Sequence, residues 1–202
     1  MKVARGGIER ALEYVAERSV LVPHGCRYWV RSLTTDGYAK AVVTEAGRER
    51  TVRVHRWLME LLHGPLPPRT ITAHSCNESL CVELDHLSNA TQRTNMRQMA
   101  DQGRAAGRAH LGYADTRGSL GRAQAIQAAL RDGLDLDALA AAMLAGEARP
   151  LVRQALANGY DAEAYLAAVR ASDPSSALVP LFPAEAAEEA PAAPEDGQMS
   201  LF

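Results

Sequence analysis

The sequence lacks any run of about 18 apolar residues, which excludes a membrane-spanning helix of ordinary length. It also lacks an apolar leader. The stretch from Ile8 to Val15 is interrupted by Glu9, Arg10 and Glu13, so it reads as an amphipathic helix and argues against a secretory signal. Cysteine is scarce, with three in 202 residues. In the reducing cytoplasm this sequence implies, such thiols bind metal more often than they form disulfides. An excess of charge of one sign is missing too: the net charge is -2, which by itself argues against a nucleic-acid partner.

The distribution of charge says more. Residues 1–110 hold 16 Lys and Arg against 11 Asp and Glu, whereas residues 111–202 hold 6 against 13. All six histidines and all three cysteines fall in the first part. The chemistry is therefore expected in a mildly basic N-terminal half, and the acidic half has another task. Hydrophobic spacing predicts a helix over 7–18, with Ile8, Ala11, Leu12 and Val15 on one face. Arg27 to Arg31 alternates as a strand, Asp36-Gly37 supplies a hairpin turn, and Tyr38 to Thr44 is the return strand. Gly47 marks a further turn, followed by a strand over 51–54 and a helix over 55–63 that ends at Gly64-Pro65. Short strands and a cysteine-containing loop fill 70–90, and Thr91 caps a helix reaching about residue 102.

Beyond residue 107 the composition turns to alanine, leucine and acids, and a repeat emerges. Leu130-Arg131-Asp132-Gly133-Leu134-Asp135 is answered by Leu156-Ala157-Asn158-Gly159-Tyr160-Asp161. Each copy reads as helix, glycine, Asp N-cap, helix, so two copies predict a bundle of about four helices. Residues 173–197 are rich in Pro, Ala, Glu and Ser and have little to bury, which predicts a disordered acidic linker.

Cys26, Cys76, Cys81 and His86 supply three thiolates and one imidazole. That set suits a closed tetrahedral zinc site, hence a structural one; a redox pair or plain buried thiols are the alternative for Cys76 and Cys81. His74 stands just outside the set, at the end of an apolar-flanked segment, and Asn95 faces it from the following helix. A neutral imidazole takes a proton from water near pH 7, and Mg2+ prefers oxygen ligands such as an Asn amide. Together they suit one-metal hydrolysis of a phosphodiester.

Residues 26–104 resemble the HNH endonucleases common in phage genomes, and the spacing of His74 to Asn95 is similar to that of the His-Cys box homing endonucleases. The shared motifs are Cys26, the hairpin strands over 38–54, Val54-His55-Arg56, Gly64-Pro65, His74-Ser75-Cys76, Cys81, His86-Leu87 and Asn95-Met96. The resemblance implies His74 as general base, Asn95 as Mg2+ ligand, and structural Zn2+ on Cys26, Cys76, Cys81 and His86. Two loop stretches depart from the family pattern, Asn77-Glu78-Ser79 and Leu84-Asp85, and both read as loop drift. Ala73 cannot ligate, although many members carry Asp there, which leaves Asn95 as the clear protein ligand. His55 is expected as a packed polar residue at a helix start.

The expected fold is α+β: a helix over 1–21, a zinc-bound ββα-metal nuclease domain with antiparallel hairpins over 22–104, an all-α repeat region over 105–172, the linker over 173–197 and a docking peptide over 198–202. The expected function is Mg2+-dependent endonuclease action on double-stranded DNA in the cytoplasm of a bacterial or phage-infected cell. The alternative is a zinc-fold DNA-binding or adaptor protein that has lost cleavage. Arg27, Arg31, Lys40 and Arg53 alternate out of the predicted strands as a basic face for DNA, and Arg56 joins them. Arg93, Arg97, Arg104 and Arg108 flank the active helix and suit backbone phosphate. Cutting both strands at a symmetric site would call for a homodimer. The terminal Gln198-Met199-Ser200-Leu201-Phe202 resembles the peptide by which bacterial polymerases and repair proteins dock on the sliding clamp, with Gln198, Met199, Leu201 and Phe202 as the contacts.

Overall fold

The computed structural model describes residues 7–45, 47–101 and 115–172, with backbone alone for 98–101. The expected linker and terminal peptide lie outside these residues, as do Arg104 and Arg108. The architecture is α+β, with three separate two-stranded antiparallel sheets and seven helices among the described residues.

Helix α1 (Gly7–Ala16) buries Ala11 and Val15, in keeping with its apolar spacing. It ends sooner than the sequence suggests, because residues Ser19–Leu21 leave it to form strand β1. β1 pairs with β2 (Arg27–Trp29), Val20 lying opposite Tyr28. The tight turn between them is closed by bonds from Val22 N–H to the Cys26 carbonyl and from Gly25 N–H to the Val22 carbonyl, each 2.9 Å. Gly25 has φ +87°, a left-handed conformation that a side chain would oppose.

The expected hairpin between residues 27–31 and 38–44 is not formed as such. β2 ends at Trp29, and its second edge is occupied by the cysteine loop. Trp29 N–H bonds to the Leu80 carbonyl at 3.2 Å, and Val82 N–H bonds to the Arg27 carbonyl at 2.9 Å. With both edges used, β2 cannot also pair with β3. The Asp36-Gly37 turn survives as a small closed loop, in which Thr34 N–H bonds to the Tyr38 carbonyl at 2.9 Å. Strand β3 (Lys40–Glu45) pairs instead with β4 (Arg48–Arg53) around Gly47.

Helix α2 (Val54–His63) buries Val54, His55, Trp57, Leu58 and Met59, and packs beside β5 (Thr70–His74) and β6 (Leu87–Thr91). These two strands pair in register from Thr70 opposite Thr91 to His74 opposite Leu87. Helix α3 (Gln92–Asp101) follows directly, with the Thr91 hydroxyl accepting from Thr94 N–H at 3.1 Å as an N-cap. β5, β6 and α3 thus make a ββα unit whose hairpin loop carries Cys76 and Cys81.

The repeat folds as four helices, α4 (Gly118–Ala129), α5 (Leu136–Leu144), α6 (Pro150–Leu156) and α7 (Ala162–Ser172). Asp135 caps α5 and Asp161 caps α7, each carboxylate accepting a backbone N–H at 2.9 Å. The repeated sequence therefore yields the repeated cap. Ile126, Leu130, Leu139, Met143, Val152 and Leu156 from the bundle join one apolar cluster with Tyr28, Trp29, Trp57 and Leu58. No helix among the described residues is long and apolar enough to cross a membrane.

Candidate metal centre and active site

Each ligand of the Cys3His cluster is fixed by local backbone geometry. Cys26 closes the turn before β2. Cys76 and Cys81 are carried by the loop after β5, which turns through Asn77 at φ +58° and closes with Cys81 N–H on the Glu78 carbonyl at 3.0 Å. His86 ends a 3-10 turn over Leu84–His86, which the Glu83 carboxylate caps at Leu84 N–H. Four donor atoms thereby converge within 4.8 Å of one another. His86 Nδ1 lies 3.5 Å from both the Cys26 and Cys81 sulfurs. Zinc bonds of about 2.3 Å to sulfur and about 2.0 Å to nitrogen, at tetrahedral angles, give a separation of about 3.5 Å. The donor set and its spacing fit a metal such as zinc.

The protonation pattern agrees. Hydrogen bonds from Cys26 and Cys76 push the Cys81 thiol below its ordinary range. Cys26 is raised, first by its hydrogen bonds to the other two sulfurs and then by burial. Cys76 is raised on balance, since Cys81 and burial outweigh the hydrogen bond from Cys26. His86 is raised by its hydrogen bond to Cys81. A metal bound here would displace protons from the remaining thiols.

His74 lies at the end of β5, coupled to the same loop. Its Nε2–H donates to the Cys81 carbonyl at 3.0 Å. A carbonyl only accepts, so this bond assigns the proton to Nε2 and leaves the lone pair on Nδ1. Burial pushes the His74 pKa down, keeping the ring neutral. The tilted rings of His55 and Tyr38 lie 4.9 Å and 6.0 Å from it between centroids, which confines the imidazole. His55 itself is buried, as its helix-start position suggests, and burial together with the neighbouring His74 lowers its pKa to about 3. Its Nδ1 has no hydrogen-bond partner among the described residues. Asn95 lies in the first turn of α3, half-buried, on a helix that packs against β5 and β6.

The basic residues are dispersed rather than gathered on one sheet face. Arg27 is on β2, whereas Lys40 and Arg53 are opposite one another on β3 and β4, a different sheet. The single face expected from alternation fails because the strands belong to two hairpins. Arg27 pairs with Glu83 at 3.2 Å, beside the ligand His86. Arg53 pairs with Asp36 at 2.8 Å, and Arg56 binds Glu60 at 2.9 Å and the Thr70 carbonyl at 2.8 Å. Arg31 is exposed, as are Arg93 and Arg97 on α3. Sequence reading missed Tyr38 beside His74, and it missed Arg122, whose guanidinium reaches Glu78 in the cysteine loop at 2.6 Å. Neither has a local signal, since both contacts join distant parts of the chain.

No family model matches this chain, and no solved structure matches it. Two curated proteins of Escherichia phage T7 are similar to it. Protein 7.7 is 28% identical over 81 residues, which cover 40% of this chain and 59% of that protein. Protein 2.8 is 29% identical over 101 residues, which cover 50% of this chain and 65% of that protein. The chain thus spans less than two thirds of either curated relative it matches.

Proposed function

We propose that this chain is a Mg2+-dependent DNA endonuclease of the HNH kind. The observation that supports it best is His74, kept neutral by burial and oriented by the Cys81 carbonyl, at the mouth of a ββα unit with a zinc-suited knuckle. Nδ1 of His74 takes a proton from water as the water oxygen bonds to phosphorus. The bond from phosphorus to the 3′ oxygen breaks, and that oxygen takes a proton from solvent water, leaving a 5′-phosphate and a 3′-hydroxyl. Asn95 would hold Mg2+ through its amide oxygen, and the bound ion supplies charge neutralisation at the phosphate and leaving oxygen. His55 and Tyr38 keep the His74 ring from turning. Cys26, Cys76, Cys81 and His86 would hold zinc as four protein ligands, and a zinc so closed would do no chemistry.

Arg93 and Arg97 project from α3, and Arg31 lies exposed after β2; all three suit duplex phosphates. Arg27, Arg53 and Arg56 are engaged within the fold and contribute mainly to its geometry. Recruitment to a bacterial sliding clamp through Gln198, Met199, Leu201 and Phe202 rests on the sequence of that segment. Similarity to two proteins of an Escherichia phage agrees with work in the cytoplasm of an infected bacterium.

The test is nicking of supercoiled plasmid by the full chain loaded with zinc and supplied with Mg2+. Nicked product bearing 5′-phosphate ends is expected. A zinc-loaded chain that binds the plasmid and never cuts it would instead be the adaptor protein of the alternative reading.

A further inference from the structure

Glu78 lies in the loop between Cys76 and Cys81, where the family pattern suggested only drift. Its carboxylate accepts from Arg122 of α4 in a fork: Nε lies 3.0 and 3.1 Å from the two oxygens, and Nη2 lies 2.6 Å from Oε1. Both side chains are 12% exposed, so water screens the pair little. Arg122 also lies 3.5 Å from Asp115 and 4.0 Å from Glu147. Those two carboxylates each have an arginine of their own, Arg117 at 2.8 Å and Arg149 at 2.7 Å. Among the described residues, the side-chain hydrogen bonds of Glu78 all come from Arg122.

The surrounding contacts carry the same coupling. The Ser79 hydroxyl donates to the Gly37 carbonyl at 3.0 Å, and the Ser119 hydroxyl on α4 donates to the Asp36 carbonyl at 3.1 Å. A Cβ on Gly37 would fall 2.8 Å from the Ser119 carbonyl oxygen, so only glycine permits α4 this close. Gln127, further along α4, donates to the Trp29 and Arg31 carbonyls. Trp29 N–H in turn bonds to the Leu80 carbonyl. The cysteine loop, β2 and α4 are thus tied together in a ring.

We propose that α4 is a built-in support of the metal knuckle. Arg122, acting through Glu78, holds the Cys76–Cys81 loop in the conformation that converges its sulfurs, and the helical bundle thereby sets the metal affinity of the centre. Arg122 is a positioning residue, since it acts on the ligands through the loop. The proposal rests on reading Cys26, Cys76, Cys81 and His86 as a metal centre. Physically, a bidentate guanidinium–carboxylate pair fixes orientation as well as distance. Partners one step removed from metal ligands commonly alter affinity by about 10–100-fold.

The experiment uses the full chain. Zinc affinity is measured by competition with a chromophoric chelator, and ligand geometry by the thiolate-to-cobalt absorption of the Co2+-loaded protein. Glu78→Ala and Arg122→Met should each weaken zinc binding about 10–100-fold and alter the cobalt spectrum. Arg122→Lys should recover part of the loss, and the double variant should bind zinc no more weakly than Arg122→Met. A bundle that melts at lower temperature while zinc affinity and cobalt spectrum stay unchanged would reduce Arg122 to packing and overturn the proposal. Should Arg122→Met fail to fold, Glu78→Ala decides: affinity within about twofold of the native chain overturns the proposal. A native chain that takes up no zinc overturns the metal-centre reading and this proposal with it. That failure shows before any variant is made.

Discussion

Between residues 118 and 172 the chain buries Ala123, Ile126, Leu130, Leu139, Ala140, Met143, Val152, Leu156 and Tyr165, spread over four helices. Between residues 70 and 97 the buried residues are Ala73, Leu80, Cys81, Val82 and Leu87, and three of those five are in or beside the cysteine loop. One region is held by apolar area, at about 25 cal/mol per Å² removed from water. The other buries residues at a similar frequency, but they gather at the loop end, where β2, α4 and the four candidate metal ligands converge. The proposed chemistry would draw on that difference, since it is placed in the second region. In the proposed account a metal on the Cys3His set, with β2 and α4, would keep the buried hairpin end rigid, while the exposed start of α3 stays open to a partner.

The comparison can be broken most severely at the ligands. Cys81→Ser should lose zinc by elemental analysis, and with it on the order of 10 kcal/mol of coupled binding and folding energy. In hydrogen exchange β5 and β6 should lose protection before α5 and α6 do. Full zinc content with unchanged protection would mean that the cluster does not staple the unit. Leu139→Ala attacks the other side. Leu139 is fully buried, so the loss should be about 2–5 kcal/mol in urea unfolding, with one zinc retained per chain. Loss of zinc at native folded fraction would contradict the division of labour.

A smaller effect should follow from His55. Its folded-state pKa is lowered to about 3 by burial, from an ordinary value of 6.5. The unfolded chain therefore takes up a proton below pH 6.5 that the folded chain refuses. The contribution is complete above pH 6.5 and is lost as pH falls toward 3, at up to about 1.4 kcal/mol per pH unit. Urea midpoints above and below pH 6.5 should show this slope reduced in His55→Phe; an identical slope would mean that His55 is solvated. The smallest effect is at the caps. Asp135→Ala removes the bond to Ala138 N–H and should cost about 1 kcal/mol, confined to the bundle.

The bundle was largely legible because its signals are local. Asp135 and Asp161 cap helices from positions that any reader of the repeat would mark. The ligand set was legible for a different reason: three cysteines and a histidine have few other uses in that pattern. The strand pairing was not legible, since Arg27–Trp29 alternates correctly but its partner depends on which distant segment reaches each edge. The basic face failed for the same reason. Glu78 looked like drift because its partner, Arg122, lies 44 positions away in a helix that no motif connects to the knuckle.

The central claim is that His74 is the base, and one paired measurement reaches it most directly. Single-turnover cleavage and equilibrium DNA binding are followed in the zinc-loaded native chain and in His74→Ala. The account predicts equal binding, equal zinc content and a cleavage rate lower by about 10²–10⁴-fold or more in the variant. A variant that cuts at the native rate would contradict it.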